Sequence, residues 1–451
     1  MFRKIFSGFL IAIYLLPNLV LADGMMIKPD PYGNRWDFVS ESNQQAYINY
    51  EDGLEKLILS IGLEEADSGA VWIFPVPANP ERVVIDILTE MPDLRGEEIN
   101  NKAKSELENI KEPLLLTQIY PAVFSSLSRK STVLVENDRA GWGSAPVGYG
   151  QKSDVIIYEH LEKEGITTEI ITAQTSDGLQ KYFKSKKLNI EQNSIPALDH
   201  YIGKEFTFVA SWISKNPAAK SGSKQKGVFV TFPTKKLYYP LMLTSVYGSE
   251  RIPTTIRIMG FVSPKVFENI ENYTEIEYYV DNNIYLSIDN FYNGSTKNVK
   301  YTKIEMNAPS KLLTQDLWMN TRQPLKTFIP LFISQHAFTT GMILLVFISI
   351  LAGVLAGFVT FREARSKKGI LKFGLLGFFN CLTIIALIIR LSSLKIKTNE
   401  EKDQKLINKL KEQGYSISKK DSNRKMIFIP LYSITYIVLV ILILMLIEKS
   451  L

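Results

Sequence analysis

Few side chains in this sequence have the chemistry of an active site: 451 residues include three histidines and one cysteine. His200, in Leu198-Asp199-His200-Tyr201, has a carboxylate beside it in sequence and could act as a general base if the fold supplied a nucleophile and an orienting group. A structural histidine at a helix edge fits the same residues. His160 and His200 are the histidines of residues 23–326, which hold no cysteine, so a zinc site there would need carboxylates to complete it. Ser221-Gly222-Ser223-Lys224 spells the Ser-x-x-Lys of serine acyl-transfer enzymes, but its Ser-Asp-Asn and Lys-Thr-Gly companions are missing. The glycine-rich run from Gly141 to Gly150 lacks the Lys-Ser/Thr ending of a phosphate-cradling loop and reads as a flexible connection. No catalytic, cofactor-binding or metal-ligating residue is assigned, and no cofactor is expected.

Prolines and aromatics carry a different suggestion. Phe74-Pro75-Val76-Pro77 and Phe232-Pro233-Thr234 each follow a strand-like run, where proline cannot donate to a ladder and must end it or mark an edge. Both read as core strand exits. Alternatively, with Trp72, Trp212, Tyr238 and Tyr239 nearby, two such edges would frame a groove for an extended peptide.

The elements that must position these residues form an exported domain and a membrane anchor. Residues 1–22 read as a secretory signal, with Arg3 and Lys4, an apolar middle, and Val20-Leu21-Ala22 before the expected cut. Three apolar segments, 338–361, 370–391 and 427–447, each reach the roughly 20 residues that a transmembrane helix needs. Gly353 and Gly357 form a small-xxx-small pair in the first, and Asn380 sits near the middle of the second. Cys381 lies in that second segment, so residues 23–326 have no disulfides.

Charge follows the same division. Residues 1–22 carry two basic and no acidic groups, 23–326 carry 33 basic and 39 acidic, and 327–451 carry 17 basic and 7 acidic. The net +6 therefore marks membrane flanks, and no nucleic-acid partner is expected. With 23–326 outside, Arg362, Arg365, Lys367, Lys368 and Lys372 fall inside, as the charge rule wants. The loop 392–425, with ten basic and five acidic residues, would then lie outside, against the rule. Three true spans are the preferred reading; a re-entrant second segment that returns the loop to the cytoplasm is the alternative. Within the loop, Leu406, Ile407 and Leu410 have the spacing of a short amphipathic helix.

Residues 23–326 mix strand-like and helix-like runs, with a further boundary possible at 137–152. Strands are expected around the Glu51-Asp52-Gly53 turn, at 70–74, 82–88, 131–135, 154–160, 167–172, 206–213, 228–232, 254–261, 275–279 and 284–288. Helices are expected over 97–110 and 176–186, with a helical turn at 197–202. The fold class is α+β, with mixed or antiparallel sheets and a few helices, followed by three transmembrane helices. Four blocks carry a family resemblance: Gln44–Ile61 with Ala70–Pro77, Asp177–Phe183, Leu198–Tyr201 with Phe206–Ala210, and Val230–Thr234 with Tyr239-Pro240-Leu241. Together they resemble a domain-of-unknown-function family of exported, membrane-tethered prokaryotic proteins, over roughly residues 25–265. The resemblance implies an exported domain on a membrane anchor and supplies no activity or ligand. The expected role is noncatalytic binding or scaffolding, with the lipid bilayer and an envelope protein or extended peptide as partners. A cell-envelope hydrolase or processing factor with scattered carboxylates, and an accessory subunit of a membrane complex, are the alternatives.

Overall fold

The structure, a computed structural model, describes residues 25–29, 36–38, 44–61, 71–118, 155–163, 165–186, 194–213, 226–282, 290–361, 365–378, 408–409, 412 and 420–451. The signal segment, the glycine-rich run 141–150, the Ser-x-x-Lys spelling, the strands expected at 131–135 and 284–288, Asn380, Cys381 and nearly all of the loop 392–425 lie outside these residues. The chain forms two compact units, Met1–Glu98 with Gly143–Thr327, and Ile99–Trp142 with Phe328–Leu451.

The first unit is α+β. In chain order it contains β1 (Met25–Pro29), β2 (Trp36–Phe38), β3 (Gln44–Glu51), β4 (Leu54–Ile61), β5 (Val71–Val76), β6 (Val84–Leu88) and β7 (Glu97–Glu98). The chain then leaves for α1 (Ile99–Leu116) of the second unit and returns with β8 (Val155–Lys163), β9 (Ile166–Ala173), α2 (Ser176–Ser185) and α3 (Ile195–Asp199). There follow β10 (Thr207–Ile213), β11 (Lys226–Pro233), β12 (Leu237–Tyr239), β13 (Thr254–Met259), β14 (Ser263–Pro264), α4 (Glu268–Glu271), β15 (Thr274–Asp281), β16 (Val299–Met306) and β17 (Leu317–Asn320).

An antiparallel sheet runs β2-β1-β5-β10-β9-β8, a mixed one runs β6-β11-β4-β3-β13-β16-β15-β7, and a small one runs β12-β17-β14. The mixed character comes from the parallel pair β3 and β13. One core takes Trp72, Phe74, Ile170 and Val209 from the first sheet, Leu57, Leu59, Val230 and Ile256 from the second, and Tyr238 and Leu317 from the third. The first sheet's other face is covered by α2 and α3 through Leu179, Phe183 and Leu198, which pack on Ile73, Ile171 and Phe208. Burial on both faces explains why β4 reads Leu57-Ile58-Leu59 rather than alternating. The β3–β4 turn has Asp52 at φ 52° and Gly53 at φ 81°, the pair of left-handed residues that a tight two-residue hairpin requires.

Pro75 lies within β5 and pairs with Phe208 of β10. Pro233 pairs with Leu54 of β4, while the pairing of β6 reaches only Val84, opposite Thr231. A residue without an N–H is tolerated at such ends.

The second unit is helical: α1, α5 (Phe328–Gln335), α6 (Ala337–Thr360), α7 (Lys367–Phe378) and α8 (Lys420–Ser450). Among the described residues two helices, Ala337–Thr360 and Leu431–Ser450, are long and apolar enough to cross a membrane, where three were expected. The second expected segment is described only to Phe378, as the last residue of α7.

Helices α6 and α8 pack antiparallel. At one end the Phe361 ring, just past α6, is 5.9 Å from that of Phe428 in α8. At the other end Ile110 of α1 meets Gly341 of α6, and Lys111 feels the charge of Glu448 in α8. Helix α7 folds back along α6: Phe373 lies in the notch left by Gly357, and Gly377 lies against Ser349 and Gly353. A Cβ on Gly353 would stand 2.8 Å from the Gly377 Cα, so the small-xxx-small pair is a backbone contact between α6 and α7.

The charged helix expected at 97–110 is α1. It runs on through Pro113 to Leu116 and buries Ala103, Leu107, Ile110 and Leu114 against α5, α6 and α8. Its C-terminal end makes polar contacts with α8: the Thr117 hydroxyl donates to the Tyr436 phenol at 3.3 Å, and Ser433 donates to the Gln118 carbonyl at 3.2 Å.

Candidate functional site

The histidine with a carboxylate partner is His160, not His200. β8 and β9 pair with His160 opposite Glu169, which sets the imidazole Nδ1 2.8 Å from Glu169 Oε1. The same carboxylate accepts a hydrogen bond from the Tyr182 phenol of α2 and one at 3.1 Å from Lys186. The Glu169 side chain is 2% exposed and that of His160 is 53% exposed. Burial pushes the Glu169 carboxyl up, but the donors Tyr182, His160 and Lys186 outweigh it and hold the group below its ordinary value. The Tyr182 phenol is pushed far up by burial and by the Glu169 charge. The Lys186 ammonium also lies 4.9 Å from the Trp212 ring centre and 5.6 Å from that of Tyr182.

A carboxylate-oriented imidazole is half of an acid–base pair. Among the described residues no hydroxyl or thiol is hydrogen-bonded to His160. What the cluster does is clamp the C-terminal end of α2 onto β8, β9 and β10.

Asp316, which the sequence did not single out, is the second focus. Its Oδ1 accepts from the Tyr201 phenol at 2.8 Å and from the backbone N–H groups of Leu241 at 3.0 Å and Met242 at 2.9 Å, and Oδ2 accepts from the Tyr238 phenol at 3.0 Å. Burial pushes the Asp316 carboxyl up, against the opposing effects of the Met242 N–H, the two phenols and His200. Both phenols are pushed up by burial, helped by the Asp316 charge. His200 itself is exposed and packs edge-on against Tyr201 at 5.0 Å. The Leu198–Tyr201 and Tyr239–Leu241 blocks, far apart in sequence, are thus brought together around one acid.

Tyr238 links that acid to a third carboxyl. Its backbone N–H donates to Glu55 Oε2 at 2.8 Å, while Glu55 Oε1 is buried without a partner. Full burial pushes the Glu55 carboxyl well above its ordinary value, the Tyr238 N–H opposing. Two acids with raised pKa values flank Tyr238, but Glu55 is 0% exposed and reaches no substrate.

Trp72, Tyr238 and Tyr239 are fully buried, so the peptide groove those aromatics would frame is filled core, and only Trp212 of the four is part-exposed. Among the described residues no group of three or more His, Cys, Asp and Glu is placed to hold a metal ion.

No family matches the chain, and no curated protein matches it. A crystal structure of a mutated baculovirus P35 after caspase cleavage is similar to it at 11% identity with a TM-score of 0.22, covering 62% of this chain and all of that one.

Proposed function

We propose that the chain is a membrane-anchored extracytoplasmic protein that binds or scaffolds, with its α+β unit outside the cytoplasm and α6 and α8 crossing the bilayer. One observation carries the anchor: the outward faces of both helices expose large apolar side chains, among them Phe338, Phe347 and Val359 on α6 and Ile434, Met445 and Leu446 on α8. Such a surface is too apolar for water and suits lipid. The noncatalytic reading is supported by the engagement of Glu169 and Asp316 with donors from the protein's own elements.

Orientation follows from charge. Arg365, Lys367, Lys368 and Lys372 gather at the end of α6 that Phe361 marks, which the charge rule assigns to the cytoplasm. Because α8 is antiparallel to α6 and starts at that same end, residues 362–427 begin and end in the cytoplasm. The apolar segment 370–391 then makes no net crossing. A re-entrant segment fits this orientation, and its described part, α7, packs against α6, where protein contacts make an incomplete crossing tolerable. On this reading the basic loop 392–425 is cytoplasmic, and both loops obey the charge rule.

Alkaline carbonate washing of membranes tests the anchor. The full chain stays in the pellet; release into the supernatant would contradict the proposal.

A further inference from the structure

We propose that the outward face of α7 holds the headgroup of an anionic phospholipid of the cytoplasmic leaflet, an inference that rests on the orientation given above. Lys368, Leu371, Lys372, Leu375 and Leu376 line a groove of about 450 Å³. Their spacing puts them on one face of the helix, and the other face, Gly369, Phe373, Gly374 and Gly377, is buried. Lys368 and Lys372 lie on the two turns nearest the Phe361 end, with Leu371 between them, and Leu375 and Leu376 follow on the next turn.

That order is the order of a phospholipid, with charge at the interface and hydrocarbon inward. Residues four apart on a helix are neighbours, about 5–6 Å between Cβ atoms, so both ammonium groups can reach one phosphate. The first turn of α7, capped where the Ser366 hydroxyl accepts from the Gly369 N–H at 3.0 Å, adds the positive end of the helix dipole. Among the described residues no carboxylate pairs with Lys368 or Lys372; the Lys372 ammonium has only the Phe373 ring, at 5.9 Å. Other occupants fit less well. An apolar segment of this chain, or the apolar helix of a second copy, would bury two unpaired ammonium groups, which is strongly unfavourable. An acidic soluble partner would satisfy the lysines and leave the leucines at hydrocarbon depth unused.

The test compares binding of the purified full chain to phosphatidylglycerol and phosphatidylcholine vesicles, with the side of residue 413 determined separately by thiol labelling. Basic residues near an anionic surface give a preference to which two lysines contribute a factor of about thirty. The Lys368→Gln/Lys372→Gln pair lowers that preference by about the same factor, leaving what Arg365, Lys367 and the basic loop contribute, the charge-retaining Lys368→Arg/Lys372→Arg pair preserves it, and millimolar inorganic phosphate does not abolish it. Lys102→Gln/Lys104→Gln on α1 leaves it unchanged. Equal binding of the parent chain to both lipids, a preference that the Gln pair leaves undiminished, or competition by free phosphate would overturn the site while leaving the orientation standing. Residue 413 labelled from outside would overturn the orientation and the site with it. If the Gln pair does not fold, the parent's preference and its survival in the Arg pair decide the matter.

Discussion

Tyr238 stands between two acids that carry opposite predictions. Burial pushes the Glu55 carboxyl well above its ordinary value, outweighing the one N–H it accepts. Its folded pKa lies above the unfolded value of about 4.3. The folded state therefore binds the extra proton, and stability falls as pH rises past that value. Glu55→Gln removes this loss: thermal unfolding of the full chain in detergent shifts upward at pH 8, and the gain shrinks to nothing near pH 4. A gain that is constant with pH would exclude a titrating Glu55 as its source. Asp316 behaves differently, because three donors converge on its Oδ1 alone. Asp316→Ala leaves two backbone N–H groups and two phenols without an acceptor and costs about 3 kcal/mol. Asp316→Asn keeps an acceptor at Oδ1 and loses less than about 1 kcal/mol, since its amide can donate to Tyr238. Equal losses would mean that the carboxylate has a role beyond stapling β17 to the Leu241–Met242 turn. Neither acid was legible in the sequence, where each is one carboxylate among 46. His200 drew notice by its neighbour in sequence, yet the neighbour that counts is set by strand register, which gives Glu169 to His160.

At the scale of elements, the strands that were legible are those whose patterns are local. The Asp52-Gly53 turn and the runs on either side specify β3 and β4, and Thr175, which accepts from the Gly178 N–H at 3.0 Å, starts α2 close to the expected residue. In β16 the buried residues change face between Tyr301 and Thr302, with Val299 and Tyr301 buried before and Ile304 and Met306 after, so its pattern has no single period for the sequence to display. Proline was informative about strand ends and misleading about edges, because a strand can outlast one neighbour while still paired to the other. Helix contacts were legible where glycine marked them. Gly353→Val forces its side chain into the Gly377 backbone and pushes α7 off α6. In a Cys381→Ala background, cysteines at Ile350 and Gly374 cross-link with a short reagent in the parent, and the added Gly353→Val abolishes the link. Persistence of the cross-link would show that the two helices do not depend on the glycine contact.

At the scale of the whole molecule, hydropathy reported how many residues are apolar and left their direction open. The run 370–391 is long enough to span, and length alone made three crossings the natural expectation. What argues against a third is pairing information that a linear scan lacks: Phe361 and Phe428 meet at one end of an antiparallel pair, 5.9 Å apart. Likewise α1 was read as part of the exported domain because it lies between its strands in sequence, whereas its apolar stripe packs in the helical unit. Under the proposed two crossings the loop 392–425, which defies the charge rule under three spans, obeys it. The most direct test places a cysteine at Gln413 in the Cys381→Ala background and treats intact cells with a membrane-impermeant thiol reagent, with Ser450→Cys as the partner position. Two crossings predict that residue 413 is protected until the membrane is opened and that residue 450 is labelled from outside. Labelling of residue 413 in intact cells, with residue 450 protected, would contradict the account and restore three spans.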